Sequence, residues 1–188
     1  MNNVRVEMYS NRIFELNITL SRPWVPRPGQ HVFITAPTLP HPFGWIQAHP
    51  YSIAWFKEID SKASKSDSEK VKESDSEASK AKKSDSKPLK AKEITIFVES
   101  RRGFSKLLAN AVSNTFPVLL NGPYGNLDDI TKFDKIQFFS EGIGIAAQLS
   151  VIKILLQRHD KKTARVRRID LAWYSRGEGE YDRSCYLS

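Results

Sequence analysis

The segment His49-Pro50-Tyr51-Ser52 places an imidazole, an aromatic ring and a hydroxyl within one short extended run. Side chains alternate between the two faces of an extended run, so His49 and Tyr51 are predicted to point one way and Ser52 the other. An aromatic side chain can pack on a flat, redox-active ring, and a nearby hydroxyl can hydrogen-bond a ring nitrogen. Taken alone, the segment would suit any flat ligand with a polar edge.

A second segment able to carry chemistry is Gly142-Ile143-Gly144-Ile145-Ala146-Ala147, which fits the G-x-G-x-x-[GA] pattern of dinucleotide-binding turns. It follows a strand-like segment and opens a helical one. Gly142 is expected to allow the tight turn, Gly144 to let a pyrophosphate approach the backbone, and Ala147 to permit close helix–sheet packing. Glu141 opposes an anion there unless its carboxylate points away, and a glycine-rich packing turn is the alternative interpretation.

Two more glycine-bearing segments lie between these. Gly103-Phe104-Ser105 opens a helix whose first-turn amides and Ser105 hydroxyl can hold a phosphate beside Arg101 and Arg102, although an ordinary helix start is the alternative. Gly122-Pro123-Tyr124-Gly125 is predicted to be a rigid turn between two domains, where Tyr124 packs either on a cofactor or on the domain interface.

The elements that must position these segments begin with strands. Alternation of apolar and polar residues predicts strands at Val4–Met8, Ile13–Leu20, His31–Thr35 and Glu93–Val98, separated by proline- and glycine-rich turns. Short strands at this spacing favour a small antiparallel barrel.

The pattern changes along the second half of the chain. Apolar residues at helical spacing predict an amphipathic helix from Gly103 to Val112, followed by a short buried strand at Val118–Leu120. Ile136–Phe139 and Ile169–Tyr174 read as strands on either side of a helix that contains Leu149–Leu156. The predicted fold class is therefore a β-barrel domain followed by an incomplete α/β, Rossmann-like domain with a parallel sheet.

Residues 57–92 repeat Lys, Ser, Asp and Glu and contain few apolar residues, so they are predicted to be a disordered insertion between two barrel strands. A phosphorylated or partner-binding loop is the alternative. Residues 57–93 contain eleven Lys and nine acidic residues, so they contribute only +2 of the net +8. The remaining charge suits a polyanionic cofactor or an acidic membrane surface; nucleic acid is not expected, because no nucleic-acid-binding motif accompanies it.

The remaining cysteine and histidine residues suggest no further chemistry. Cys185 is the only cysteine, which excludes an intramolecular disulfide and fits a reducing compartment. His31, His41 and His49 lack metal-ligand spacing, so no metal site is expected. His159 is predicted to be solvated near a helix end.

Five segments together resemble the ferredoxin–NADP reductase superfamily, and within it the flavin and nucleotide module of fungal ferric-chelate reductases, which are relatives of the NADPH oxidases. The likeness covers nearly all of the chain outside the insertion. The segments that carry it are Arg27–Ile34, His49–Ala54, Arg102–Ser105, Gly122–Gly125 and Gly142–Ala147.

The resemblance implies that residues 1–125 form an FAD-binding antiparallel β-barrel domain. Tyr51 would then lie against the isoalloxazine and Ser52 beside flavin N5, which makes these two the expected catalytic residues. His49 would lie near the flavin's phosphate or ribityl chain. Pro50 and Ile53 complete that segment, and the FAD pyrophosphate would be held by Gly103, Phe104 and Ser105.

The resemblance also implies that residues 126–188 form an NADP-binding α/β domain, expected here to be truncated. Ser175 and Arg176 would bind the 2′-phosphate and favour NADP over NAD, although Glu178 and Glu180 oppose this. The other expected NADPH contacts are Gly122, Pro123, Tyr124, Gly125, Gly142, Gly144, Ile145, Ala146 and Ala147.

The implied activity is that of an NADPH-dependent ferric-chelate reductase of iron uptake. Electrons would pass from NADPH through FAD to ferric chelates or another metal acceptor, at the cytosolic face of the plasma membrane. Haem would belong to a membrane domain outside this chain, which alone is expected to be soluble. Two alternatives stay open: a catalytically incompetent FAD-binding remnant that acts as an interaction module, and superoxide production of the NADPH-oxidase type.

Overall fold

The computed structural model describes residues 1–40, 46–58 and 90–175. In these ranges the chain forms an antiparallel sheet followed by a smaller parallel one, with one helix attached to each. The strands are β1 Asn2–Met8, β2 Ile13–Trp24, β3 His31–Thr35, β4 His49–Ser52, β5 Trp55–Glu58, β6 Ala91–Glu99, β7 Thr115–Tyr124, β8 Lys135–Glu141 and β9 Arg168–Tyr174, and the helices are α1 Phe104–Asn110 and α2 Ala146–Asp160.

The first seven strands form a curled antiparallel half-barrel in the order β4-β3-β7-β1-β2-β6-β5. Period-two alternation drives this arrangement, as β2 shows: Phe14, Leu16 and Ile18 are fully buried, whereas the residues between them are partly exposed. These side chains pack on those of the neighbouring strand β6, among them Ile94 and Ile96. The predicted barrel-like fold is confirmed.

The ends of the predicted insertion are ordered. Lys57 and Glu58 belong to β5, while Ala91 and Lys92 belong to β6, and the two strands pair with each other. The Lys57 ammonium also donates a hydrogen bond to the Glu93 carboxylate across this pair. The insertion is therefore shorter than the predicted 57–92, and the disorder predicted for residues 59–89 falls outside the described residues.

Strand β7 is longer than the sequence pattern indicated. The predicted strand Val118–Leu120 is only its middle, because β7 continues through the cis Gly122–Pro123 bond to Tyr124. Gly122 to Tyr124 is thus strand rather than the predicted turn. The reason is tertiary: β3 provides a pairing partner, and Tyr124 lies opposite His31 after a register shift in the ladder.

The second sheet consists of β8 and β9, which run parallel and are connected by α2. This arrangement confirms the predicted βαβ unit. Its core is small and lies between the sheet and α2, where Ile136, Val151, Leu155 and Val166 are buried. Within the described ranges, neither helix has the length and apolar character needed to cross a membrane.

Candidate functional site

The His49–Ser52 segment is an edge strand of the half-barrel. Among the described strands β4 pairs only with β3, with His49 opposite Ile34 and Ser52 opposite His31. His49 and Tyr51 are half-buried, whereas Pro50 and Ser52 are exposed. The predicted alternation is confirmed, so an aromatic surface and a hydroxyl flank the same strand edge.

Strand β4 meets the start of α1 through a ring stack. The His49 imidazole lies parallel to the Phe104 ring, with centroids 4.0 Å apart and an interplanar angle of 10°. Phe104 is 7% exposed and is the first residue of α1. Gly103 precedes it with φ 66° and ψ −130°, a combination that essentially only glycine adopts. Two of the segments predicted to bind FAD are therefore in contact.

Ser105 and Arg101 already have protein partners. The Ser105 hydroxyl accepts a hydrogen bond from the Arg101 N–H at 3.0 Å and donates one to the Arg102 carbonyl at 3.4 Å. The Arg101 guanidinium donates to the Glu99 carboxylate at 2.9 Å. These bonds shape the loop before α1, and a phosphate contact from Gly103, Phe104 or Ser105 stays a prediction.

Tyr51 lies partly inside the core, and its neighbour Ile53 lies fully inside it. Burial raises the pKa of Tyr51 to about 12, so its phenol is neutral at physiological pH. Ile53 is 4% exposed, and its N–H donates to the Gln30 carbonyl at 3.0 Å. The Tyr51 ring is thus partly accessible to a ligand, whereas the Ile53 side chain is not. A flavin contact stays a prediction for both residues.

The raised pKa of Tyr51 predicts a loss of stability in alkali. The unfolded chain ionises this phenol near pH 10 and the folded chain near pH 12, so the stability present below pH 10 is lost as pH rises toward 12. The loss is expected to be about 2 kcal/mol. Urea unfolding of the wild type and of Tyr51→Phe at pH 9 and pH 11.5 checks this; equal losses in both proteins would contradict it.

An aromatic cluster extends the exposed side of β4 across two neighbouring strands. The rings of His31, Phe33 and Tyr124 lie 5.8–5.9 Å apart in mutual contact. His31 is the pairing partner of both Ser52 and Tyr124, so these three side chains share one face of the sheet. The Tyr124 hydroxyl donates to the Asn121 side-chain oxygen at 2.6 Å.

Sequence reasoning missed His31 and Phe33 as site residues. Both lie in the Arg27–Ile34 segment and alternate with buried Val32 and Ile34, so their exposure on one face was readable from the sequence. Their position beside β4 could not be predicted from the sequence, because it depends on the register between β3 and β4.

The glycine turn follows β8 and has the expected backbone. Gly142–Ile145 form one 3₁₀ turn that continues into α2, and Gly142 has φ 53°, which confirms its role in the tight turn. The Trp173 indole N–H donates to the Gly142 carbonyl at 2.9 Å and holds the turn against β9. Ala146, at 6% exposure, is buried, and Ala147 is half-buried; the close packing expected of Ala147 stays a prediction.

Both glycines of this turn face open space. A Cβ placed on Gly142 or Gly144 would meet no atom within 4 Å among the described residues, so packing does not explain glycine at Gly144. Nearby, the Ser140 hydroxyl and the Gln148 side-chain oxygen are buried without a hydrogen-bond partner in the described part of the chain. The open backbone at the start of α2 leaves room for an anion such as a pyrophosphate, and of the two buried atoms only the Ser140 hydroxyl could donate a hydrogen bond to it.

The remaining predicted nucleotide residues lie at or beyond this edge. Ser175 directly follows β9, at the same carboxyl edge of the sheet as the glycine turn, and Arg176 lies outside the described residues. Glu141 is exposed to solvent. Gly122 to Tyr124 instead belong to β7 of the half-barrel, and their contact with a nucleotide stays a prediction.

Helix α2 attaches the glycine turn to the half-barrel. The Lys153 ammonium donates to the Phe56 carbonyl at 2.5 Å and lies 4.2 Å from the centroid of the Trp55 ring. Four residues along, the Gln157 amide donates to the Glu58 carboxylate at 3.1 Å. Burial at this seam lowers the pKa of Lys153. Since β5 follows β4 after two residues, α2 links the two candidate ligand sites.

The histidines within the described residues form no metal site. In the ranges that the structure describes, no group of three His, Cys, Asp or Glu side chains is placed to hold a metal ion. His159 is exposed near the end of α2, as predicted, and His41 and Cys185 lie outside those ranges.

The fold is shared by flavin-dependent reductases. The chain is similar to phthalate dioxygenase reductase, with 17% identity and a TM-score of 0.58 over 93% of this chain and 44% of that one. A ferredoxin NADP⁺ reductase from Neisseria gonorrhoeae with bound FAD and NADP matches with 14% identity and a TM-score of 0.58, over 92% of this chain and 56% of that one. The chain thus spans less than two thirds of either structure.

A third similar structure is the FAD/NAD-binding domain of nitric oxide dioxygenase from Vibrio cholerae, with 13% identity and a TM-score of 0.58 over 96% of this chain and 65% of that one. No curated protein matches the sequence. A model of the FAD-binding domain family matches residues 1–128, which include β4, α1 and the aromatic cluster. The chain therefore belongs to this FAD-binding domain family.

Proposed function

We propose that the chain binds FAD along β4 and the start of α1 and takes part in flavin-dependent electron transfer from NADPH. The observation that carries this proposal is the contact between His49 and Phe104, which joins the two segments expected to hold the flavin. The exposed Ser52 and the half-buried Tyr51 flank the same strand edge. A flat ring and its phosphate tail would thus find partners along the edge of the half-barrel, with Tyr51 on one side of β4 and Ser52 on the other.

Each residue along this edge of the half-barrel has a distinct task in the proposal. The Tyr51 ring, neutral at physiological pH, presents an uncharged aromatic face to the isoalloxazine. The Ser52 hydroxyl is exposed and free to orient a hydrogen bond toward a ring nitrogen such as N5. His31 lies on the same face of the sheet as Ser52 and adds an imidazole beside the Ser52 hydroxyl. Bound FAD would supply the ability to accept a hydride and release single electrons.

NADPH is proposed to bind at the carboxyl edge of β8 and β9. Parallel α/β sheets bind ligands at this edge, and the helix that begins there presents its backbone N–H groups to a pyrophosphate. The open space at Gly142 and Gly144 leaves room for such an approach. Lys153 and Gln157 then hold α2, and with it the nucleotide turn, at a fixed position relative to β5 and β4.

The acceptor and the location are proposed from the family resemblance. We propose ferric chelates as acceptor, in a reductase that works at the cytosolic face of a membrane together with a haem domain. Phthalate dioxygenase reductase transfers electrons from pyridine nucleotides to a [2Fe-2S] centre, which supports a metal acceptor in general terms.

Anaerobic reduction of the FAD-loaded chain by NADPH tests the proposed activity. We expect NADPH to bleach the flavin absorbance and ferric citrate to restore it. Bleaching that only dioxygen reverses, with superoxide formed, favours the NADPH-oxidase alternative. Flavin that binds but is not bleached by NADPH, while dithionite bleaches it, favours the catalytically incompetent module.

Replacing Gly144 separates nucleotide binding from folding. Gly144→Val is expected to slow NADPH-dependent bleaching about 100-fold, because the side chain fills the space that the pyrophosphate needs. FAD affinity and the free energy of unfolding should stay close to wild type, since the new side chain meets no described atom within 4 Å of its Cβ. Stopped-flow absorbance measures the rate, and an unchanged rate would place the nucleotide elsewhere.

A further inference from the structure

One end of the α/β unit concentrates the positive charge of the chain. Residues 158–168 run from the last turn of α2 to the first residue of β9 and contain six basic side chains and one acidic one, so they supply +5 of the net +8. Most of these side chains are exposed. This segment lies at the end of the sheet where β8 and β9 begin, which is opposite the carboxyl end that carries the glycine turn.

Backbone hydrogen bonds fold this segment onto the start of β8. The Arg165 N–H donates to the Thr131 carbonyl at 3.0 Å, and the Arg167 N–H donates to the Asp134 carbonyl at 2.7 Å. Phe133 lies between these attachment points, and 60% of its surface is exposed. We call the resulting surface the basic end; it comprises Lys132, Phe133, Lys135, Arg165, Arg167 and Arg168.

Nearby carboxylates offset only part of this charge. Lys132 pairs with Asp129, the Arg165 guanidinium lies 3.6 Å from the Asp134 carboxylate, and Arg168 lies 2.9 Å from Asp170. Lys135 and Arg167 are exposed and join no ion pair within the described ranges. The basic end thus keeps a net positive charge around one exposed phenyl ring.

We propose that the basic end binds an anionic membrane surface, with Phe133 inserted at the level of the lipid headgroups. The proposal rests on the membrane location proposed above and deepens it by naming the contacting surface. Basic side chains near a membrane are attracted to anionic lipids in any lateral arrangement, and aromatic rings favour the membrane–water interface. Single-stranded nucleic acid is less well matched, because its binding surfaces offer several stacking rings in succession.

Co-sedimentation with lipid vesicles tests this with the full chain. We expect binding to vesicles of phosphatidylcholine mixed with phosphatidylserine, no binding to pure phosphatidylcholine, and loss of binding at high salt. Reversing two charges in Lys135→Glu/Arg167→Glu should weaken binding at least about 25-fold, at roughly fivefold per basic residue. Phe133→Ser should weaken it about tenfold.

Matched variants distinguish vesicle binding through the basic end from a general effect of the net charge of the chain. Arg22→Glu/Lys92→Glu changes the net charge equally at exposed barrel positions, and Met8→Ser removes an exposed apolar side chain there; both should bind vesicles as wild type does. Equal weakening by the barrel variants overturns the proposal, as does tighter binding to single-stranded RNA than to anionic vesicles. FAD titration of the same variants shows whether the flavin site has failed independently.

Discussion

Tyr51→Ala is expected to lower the affinity of the chain for FAD about 100-fold, which corresponds to about 2.7 kcal/mol. The ring is half-buried beside the His49–Phe104 stack, so its removal deletes the surface on which the isoalloxazine is proposed to lie. Tyr51→Phe keeps the ring and should retain most of the affinity. Quenching of flavin fluorescence during titration measures both.

The control for this variant is Tyr9→Ala. Tyr9 is 70% exposed, contacts Phe97 edge-on and belongs to none of the segments proposed to hold FAD, so its loss should leave FAD affinity unchanged. Because Tyr51 also packs against the core, the free energy of unfolding is measured for each variant. A Tyr51→Ala protein that is folded and binds FAD as tightly as wild type would remove Tyr51 from the site.

Gly125→Ala is expected to destabilise the protein by about 3 kcal/mol. Gly125 has φ 86°, and a Cβ there would lie 2.7 Å from the Gly29 carbonyl oxygen, a backbone atom that cannot move aside cheaply. The clash would separate the end of β7 from the turn before β3, which together carry Tyr124 and His31. Urea unfolding measures the loss.

Gly144→Ala is the matched control for this change. Gly144 has ordinary backbone angles, and its added Cβ would meet no described atom within 4 Å, so stability should change by less than about 0.5 kcal/mol. If the two alanine variants unfold at the same free energy, the close approach between Gly125 and Gly29 does not constrain the fold.

Local patterns in the sequence predicted much of the fold. The alternation in Ile13–Leu20 reflects one buried face of a sheet, and the same rule correctly separated Tyr51 from Ser52. The helix after the glycine turn and the parallel strands around it also followed from periodicity and spacing. These features depend on short-range information, which a sequence displays directly.

Features that depend on pairing between distant strands were missed. Gly122 and Pro123 read as a turn, yet they lie within β7 at a register shift, after which pairing with β3 resumes and places Tyr124 opposite His31. The stack between His49 and Phe104 joins residues 55 positions apart, so no local pattern reveals it. The hydrogen bond from Lys153 to the Phe56 carbonyl could not be predicted from the sequence either, because it depends on how α2 packs against β5.

Titration of the purified chain with FAD tests the central claim most directly. The account predicts that one FAD binds per chain, with a dissociation constant in about the low micromolar range or tighter, and that the yellow colour stays with the protein through gel filtration. A folded chain that leaves flavin fluorescence unchanged and elutes colourless would contradict it.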